Sequence, residues 1–205
     1  MVMDFKKDAM TRKEIEDKIS GSGDYVKMDV LQRCLKQQLD FDTRKYALLT
    51  LAGIYEDRKM HLEAGKMMRN AAEINTTFSG KMADFVKSME LYVLGGNYEE
   101  ADASYNKAMA CGDGLQKTRI KERRKAIYNI AAKGLMMRDK RKHAMEAYEK
   151  ILEMDLSPDE KSEVKNILMG LYEKLGKLQD YYSLKRSIWF YLTDIRKSAA
   201  LWKPS

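Results

Sequence analysis

Apolar positions along this chain recur at helical spacing in paired runs, separated by short polar or glycine-bearing breaks. The clearest instance is Leu94-Gly95-Gly96-Asn97-Tyr98-Glu99-Glu100-Ala101-Asp102-Ala103-Ser104-Tyr105-Asn106-Lys107-Ala108. A glycine pair stops one helix, Asn97-Tyr98 turns the chain, and Ala101, Tyr105 and Ala108 then return at helical spacing. Small residues at Ala101 and Ala108 let two helix backbones approach closely, while Tyr105 fills the space between them. The pattern predicts a helical hairpin.

The same alternation predicts five hairpin units, over 11–40, 43–75, 81–112, 116–156 and 157–188. In the first, Thr11-Arg12-Lys13-Glu14 offers a capping box ahead of Ile15 and Ile19. Ser20-Gly21-Ser22-Gly23 then breaks the helix, and Met28, Leu31, Leu35 and Leu39 share the face of the next. The second unit places Leu48, Leu51, Ala52 and Tyr55 on a helix from about Thr43 to Arg58. Ala64, Met68 and Ala71 follow on a helix from about Leu62 to Ile74. The third has Phe85, Met89 and Tyr92 before the stretch above, and Cys111-Gly112-Asp113-Gly114 closes it with glycine suited to a left-handed helix end.

The fourth unit opens with a longer helix, about Gln116 to Arg138, bearing Tyr128, Ala131, Ala132 and Leu135. Ala144, Tyr148 and Ile151 mark its second helix. Ser157-Pro158-Asp159-Glu160 has the form of a helix start, and Leu168, Met169 and Tyr172 follow in the fifth unit. There Tyr181 and Lys185 replace the usual alanine and aromatic, as an end unit tolerates. A last helical run, Leu184 to about Leu201, carries Ile188, Trp189, Phe190, Tyr191, Leu192 and Ile195 and is expected to cap the open end. Two sets of markers keep one register. Tyr55, Tyr92, Leu135 and Tyr172 lie 37, 43 and 37 residues apart, and Ala64, Ala101, Ala144 and Tyr181 repeat those intervals.

Composition narrows the picture. Only 2 prolines and 34% charged residues in 205, with no alternating Val/Ile/Thr-rich run, predict an all-α chain folded as one domain over 1–205. No stretch is apolar enough for a membrane span or a signal peptide, which predicts a cytoplasmic location. Cys34 and Cys111 stand far apart with no CxxC, and His61 and His143 lack catalytic neighbours, so no metal or disulfide framework is expected. Walker, dinucleotide-binding, HExxH and nucleophile-elbow patterns are absent from the sequence, which predicts neither an enzyme nor a cofactor. Glu99-Glu100 and Asp159-Glu160 sit at helix starts, where they complement the helix dipole.

On Tyr92, Gly95, Asn97-Tyr98, Ala101, Tyr105 and Ala108 the chain resembles the tetratricopeptide repeat (TPR) family. Weaker copies are Leu51-Ala52, Tyr55, Ala64, Met68 and Ala71, then Ala131-Ala132, Leu135, Ala144, Tyr148 and Ile151. The units are longer than the usual ~34 residues, similar in this to SNAP-type (NSF attachment) adaptors. Those adaptors end in an acidic tail, whereas this chain ends in the basic run Ile195 to Ser205. The resemblance implies a right-handed superhelical array of antiparallel hairpins, an α-solenoid, with a concave side lined by the first helix of each unit. It also implies a protein or peptide partner held in that groove as a helix or extended segment. The projected lining is Leu49, Gly53, Glu56, Val86, Glu90, Val93, Asn129, Lys133, Met136, Asn166, Gly170 and Glu173. Of the residues at carboxylate-clamp positions, only Asn129 and Lys133 have the chemistry that chaperone-binding relatives use, so a clamp is not expected.

A second surface is electrostatic. Between Lys117 and Lys142 eleven Lys or Arg stand against Glu122 and Asp139, in a chain of net charge +7. Lys121, Arg123, Arg124 and Lys125 form one group with Lys117 and Arg119, and Arg138, Lys140, Arg141 and Lys142 form another at the far end of the same predicted helix. An acidic protein would suit these groups, and an anionic membrane or nucleic acid is the alternative. Self-association through Trp189, Phe190 and Trp202 is a further possibility.

Overall fold

The computed structural model describes residues 10–186, and every regular element among them is helical. In chain order these are α1 (Arg12–Ile19), α2 (Asp24–Leu35), α3 (Phe41–Asp57), α4 (His61–Ile74), α5 (Phe78–Gly95), α6 (Tyr98–Cys111), α7 (Gly114–Met137), α8 (Arg141–Leu152) and α9 (Pro158–Lys174). Residues 178–186 are helical again. Of the predicted capping helix, Leu184 to about Leu201, only the start is described, and the rest, with Trp189 and Phe190, lies outside the described residues, as does Trp202.

Side-chain caps decide where most helices begin. Thr11 and Glu14 form the predicted capping box, and Ser157 with Glu160 forms a second ahead of Pro158. Asp40, Thr77 and Asn97 each accept a backbone N–H from the residue three places on, Thr43, Gly80 and Glu100. Asp113 and Gln116 cap each other reciprocally, with both N–H to side-chain distances at 2.9 Å. These polar starts set α3, α5 and α7 two or three residues earlier than apolar spacing alone places them.

The ends of α3, α5, α7 and α9 share one device. Lys59, Gly96, Asp139 and Gly176 have φ of 60°, 78°, 53° and 70°, the left-handed region. The N–H of the following residue then returns to the helix: Met60 to the carbonyl of Tyr55 at 2.8 Å, Asn97 to Tyr92 at 2.9 Å, Lys140 to Leu135 at 2.9 Å and Lys177 to Tyr172 at 2.8 Å. This is the Schellman closure. Its four acceptors are the four marker residues of the repeat, so the 37, 43 and 37 spacing is a spacing of turns. Gly112 is different: expected to be left-handed, it has φ of −94° and ψ of 154°, because Asp113 restarts the chain as a cap and extended backbone serves that geometry.

The chain divides into two compact units, Met1–Ile127 and Tyr128–Ser205, and the division falls inside α7. In the first, α1 packs on α2 and α3, α2 on α3, α4 on both α3 and α5, and α5 on α6. Its larger core joins Ile15, Ile19, Leu31, Cys34, Ala47, Leu51, Tyr55, Ala64 and Leu91. A smaller cluster of Ala72, Phe85, Ala108 and Ile120 lies beyond it. Ala64, Ala101 and Ala108 are fully buried, which matches their reading as close-approach positions. In the second unit α8 packs on α9. Its buried residues include Tyr128, Ala132, Ala144, Tyr148, Ile151, Leu168 and Leu171.

Candidate binding cleft

Two turns of α5 and two turns of α7 flank an open, shallow cleft of about 530 Å³ in the first unit. From α5 it is lined by Met82, Ala83, Val86, Lys87 and Glu90, and from α7 by Gln116, Arg119, Ile120 and Arg123. Both sets follow helical spacing, so each helix presents one continuous face. Ile120 is 4% exposed and belongs to the core below, while Met82 and Val86 are half-buried and pack against that core. The floor is therefore apolar and supported from beneath.

Charged pairs fix the rim. The Arg123 guanidinium bonds Glu90, whose side chain is 9% exposed against 61% for the arginine. That carboxylate raises the Arg123 pKa, by hydrogen bond first and by charge second. On the other side of α5, Lys87 Nζ lies 2.6 Å from Glu56 Oε1 of α3. Arg124 points away from the cleft. It bonds Asp102 of α6 at 2.6 Å and lies over the Tyr105 ring at 4.4 Å from the centroid.

Two other depressions accompany it. One, of about 480 Å³, lies among α2, α3 and α4, with Gln32, Arg44, Leu48, Leu51, Tyr55, Met67 and Ile74 in its lining. The other belongs to the second unit and is smaller, about 280 Å³. Asn129, Lys133, Tyr148, Ile151, Glu160, Glu163 and Ile167 line it.

The projected groove residues are thus distributed unevenly. Val86 and Glu90 line the α5–α7 cleft, and Glu56 holds its lysine. Leu49 and Gly53 are exposed on α3 outside it. Val93 does not line a groove: it is 1% exposed, because its position on α5 turns inward to the core. Asn129 and Lys133 belong to the second unit's depression, while Met136 and Asn166 are exposed and do not line it. Gly170 is half-buried and Glu173 exposed. Met82, Gln116, Arg119 and Ile120 were not among the projected residues, although Gln116, Ile120 and Arg123 recur at i, i+4 and i+7.

The basic segment is also partly consumed. Lys121 is exposed and Lys125 half-buried, but Arg123 and Arg124 are held by Glu90 and Asp102. The second group does not sit on the end of α7, as the longer predicted helix implied. The left-handed Asp139 ends α7 at Met137, so Arg138 and Lys140 occupy the turn and Arg141 and Lys142 open α8. Arg138 Nε donates to the Gly134 carbonyl at 2.9 Å, and Arg141 pairs with Asp139 at 2.7 Å.

Among the described residues no three His, Cys, Asp or Glu side chains converge as metal donors would, and no helix is long and apolar enough to cross a membrane. Cys34 is buried and Cys111 half-buried, both as free thiols. Burial pushes the Cys34 thiol pKa up.

No protein-family model and no curated protein sequence matches this chain. Among solved structures, the crystal structure of BtubC (BKLC) from P. vanneervenii is similar at 15% identity, covering 94% of this chain and 80% of that one with a TM-score of 0.36.

Proposed function

We propose that this protein is a non-catalytic, TPR-like α-solenoid scaffold that holds a segment of another protein against its first-of-pair helices, with the α5–α7 cleft as a principal contact. The observation that carries the reading is a cleft with an apolar floor of Met82, Val86 and Ile120 between two helices in equivalent positions of successive hairpins. A short peptide or helix fills such a site by placing side chains on the floor and backbone between the rims. The recurrence of one turn geometry after Tyr55, Tyr92, Leu135 and Tyr172 supports the repeat interpretation. The competing reading, an electrostatic binder of nucleic acid or anionic surfaces through 117–142, has less support, since Arg123, Arg124 and Arg141 already have carboxylate partners.

The test uses the full chain as bait in nuclease-treated source lysate at physiological salt, compared with Val86→Glu, Ala83→Glu and a surface control in the second unit, Lys161→Glu. Proteins retained by the wild type and the control, but lost from both cleft variants with unchanged melting curves, are the expected result. The same proteins retained by all four baits overturn the assignment of the cleft.

A further inference from the structure

The α5–α7 cleft has a charge preference as well as an apolar floor. Lys87, Arg119 and Arg123 line it against the carboxylate of Glu90. Glu90 is nearly buried and its partner Arg123 mostly exposed, so the face this pair turns to solvent is cationic. Lys87 shares Glu56 with the neighbouring helix, at 40% and 36% side-chain exposure. Arg119 is exposed and has no ion pair among the described residues. Lys117 and Lys121 are exposed on the same turns of α7 but off the cleft face, as is Glu122, so Arg119 and Arg123 are the α7 cations that the cleft presents.

We infer that the occupant of this cleft is an acidic amphipathic segment of a partner protein, a reading that rests on the proposed scaffold role. From Met82 to Glu90 the α5 face runs about 12 Å at 1.5 Å per residue. That length suits two turns of helix or about four extended residues. One or two apolar side chains rest on Met82, Val86 and Ile120, and Met82, unbranched and polarisable, adjusts to their shape. Carboxylates one turn away meet Arg119 and the exposed edge of Arg123, where a charged hydrogen bond is stronger than a neutral one. A cationic segment meets repulsion from the same groups and finds Glu90 already satisfied. A nucleic-acid strand offers phosphates, but the cleft lining contains no aromatic ring on which its bases could stack.

The experiment is selection of a phage-displayed library of random 12-residue peptides on the full chain, with each enriched peptide then titrated against wild type, Arg119→Gln and Val86→Glu. The expected winners pair apolar residues with Asp or Glu, weaken roughly five- to tenfold on Arg119→Gln, weaken further with salt, and lose binding on Val86→Glu. Circular dichroism of both variants checks that they fold, and Arg119, being exposed, provides a variant with little structural risk. Winners that are neutral or basic yet sensitive to Val86→Glu overturn the acidic preference while leaving the cleft as a peptide site. Winners indifferent to both variants, or no enrichment, overturn the inference and count against the cleft as well. Binding of single-stranded oligonucleotide that Arg119→Gln abolishes, with no peptide selected, assigns the cations to phosphate instead.

Discussion

Gly65 of α4 lies directly beneath the Tyr92 ring of α5: a Cβ at this position would come within 3.1 Å of the ring's Cδ1 and 3.2 Å of Cγ. The absent side chain lets the Gly65 carbonyl accept a hydrogen bond from the Ser88 hydroxyl at 2.9 Å, and Ser88 in turn accepts one from the Ser104 hydroxyl of α6 at 3.2 Å. Three consecutive helices are joined through this buried polar chain.

Gly65→Leu is therefore expected to destabilise the protein by about 2–3 kcal/mol, since the ring and the helix behind it must both move. Gly53 on α3 provides the contrast, because nothing lies within 4 Å of a Cβ there. Gly53→Ala is expected to stabilise by up to about 1 kcal/mol through helix propensity alone. Urea denaturation of the two variants, followed by circular dichroism, measures both signs; equal effects would show that the Tyr92 contact does not matter.

The left-handed turns make a second paired expectation. Gly96→Ala places a side chain at φ of 78° and is expected to cost about 1 kcal/mol, whereas Lys59→Gly, at φ of 60°, is expected to be neutral or stabilising by a few tenths. Thermal melts at neutral pH decide the matter. A stabilising Gly96→Ala contradicts the Schellman closure.

Acid should loosen the start of α3. The hydroxyl and the N–H of Thr43 hold the Asp40 carboxyl below its ordinary range. A carboxylate whose folded pKa is depressed stabilises the fold above its unfolded pKa, and that contribution is lost as pH falls through the folded value. The loss thus begins near and below about pH 4. Asp40→Asn keeps an accepting oxygen that cannot be protonated in this window, so its helical signal should fall less between pH 5 and pH 2.5 than that of the wild type. Identical acid profiles would mean that the cap carries no pH dependence.

The helices and their hairpin register were legible because Tyr55, Tyr92, Leu135 and Tyr172 sit at one fixed place relative to a turn, and the turn is chemically encoded. The start of each helix was less so: apolar periodicity is silent about Asp40, Thr77 and Asp113, which act through hydrogen bonds. The cleft was half legible. Val86 and Glu90 follow from the face of α5, but register counted back from the turn at Asp139 selects Asn129 and Lys133 on α7 and passes over Arg119 and Ile120. Those two lie on the extra turns that make α7 24 residues long, against 18 for α5. Val93 failed for a different reason, since a valine on a helix face reads the same in sequence whether that face looks to a groove or to the core.

Charged clasps between alternate helices give the first unit an uneven stiffness. Lys87 with Glu56 and Arg123 with Glu90 bridge α3, α5 and α7, while Arg69 with Glu100 and Lys107 with Glu73 bridge α4 and α6. Contacts between consecutive helices are made chiefly of buried Ala, Leu and Tyr and the Ser88 chain, with the Arg124–Asp102 pair between α7 and α6 as a charged addition. Ionic strength thus weakens the half-exposed clasps between alternate helices more than the apolar contacts between consecutive ones. In concentrated salt the hairpins of the first unit are therefore expected to keep their internal packing while the tie between alternate helices slackens.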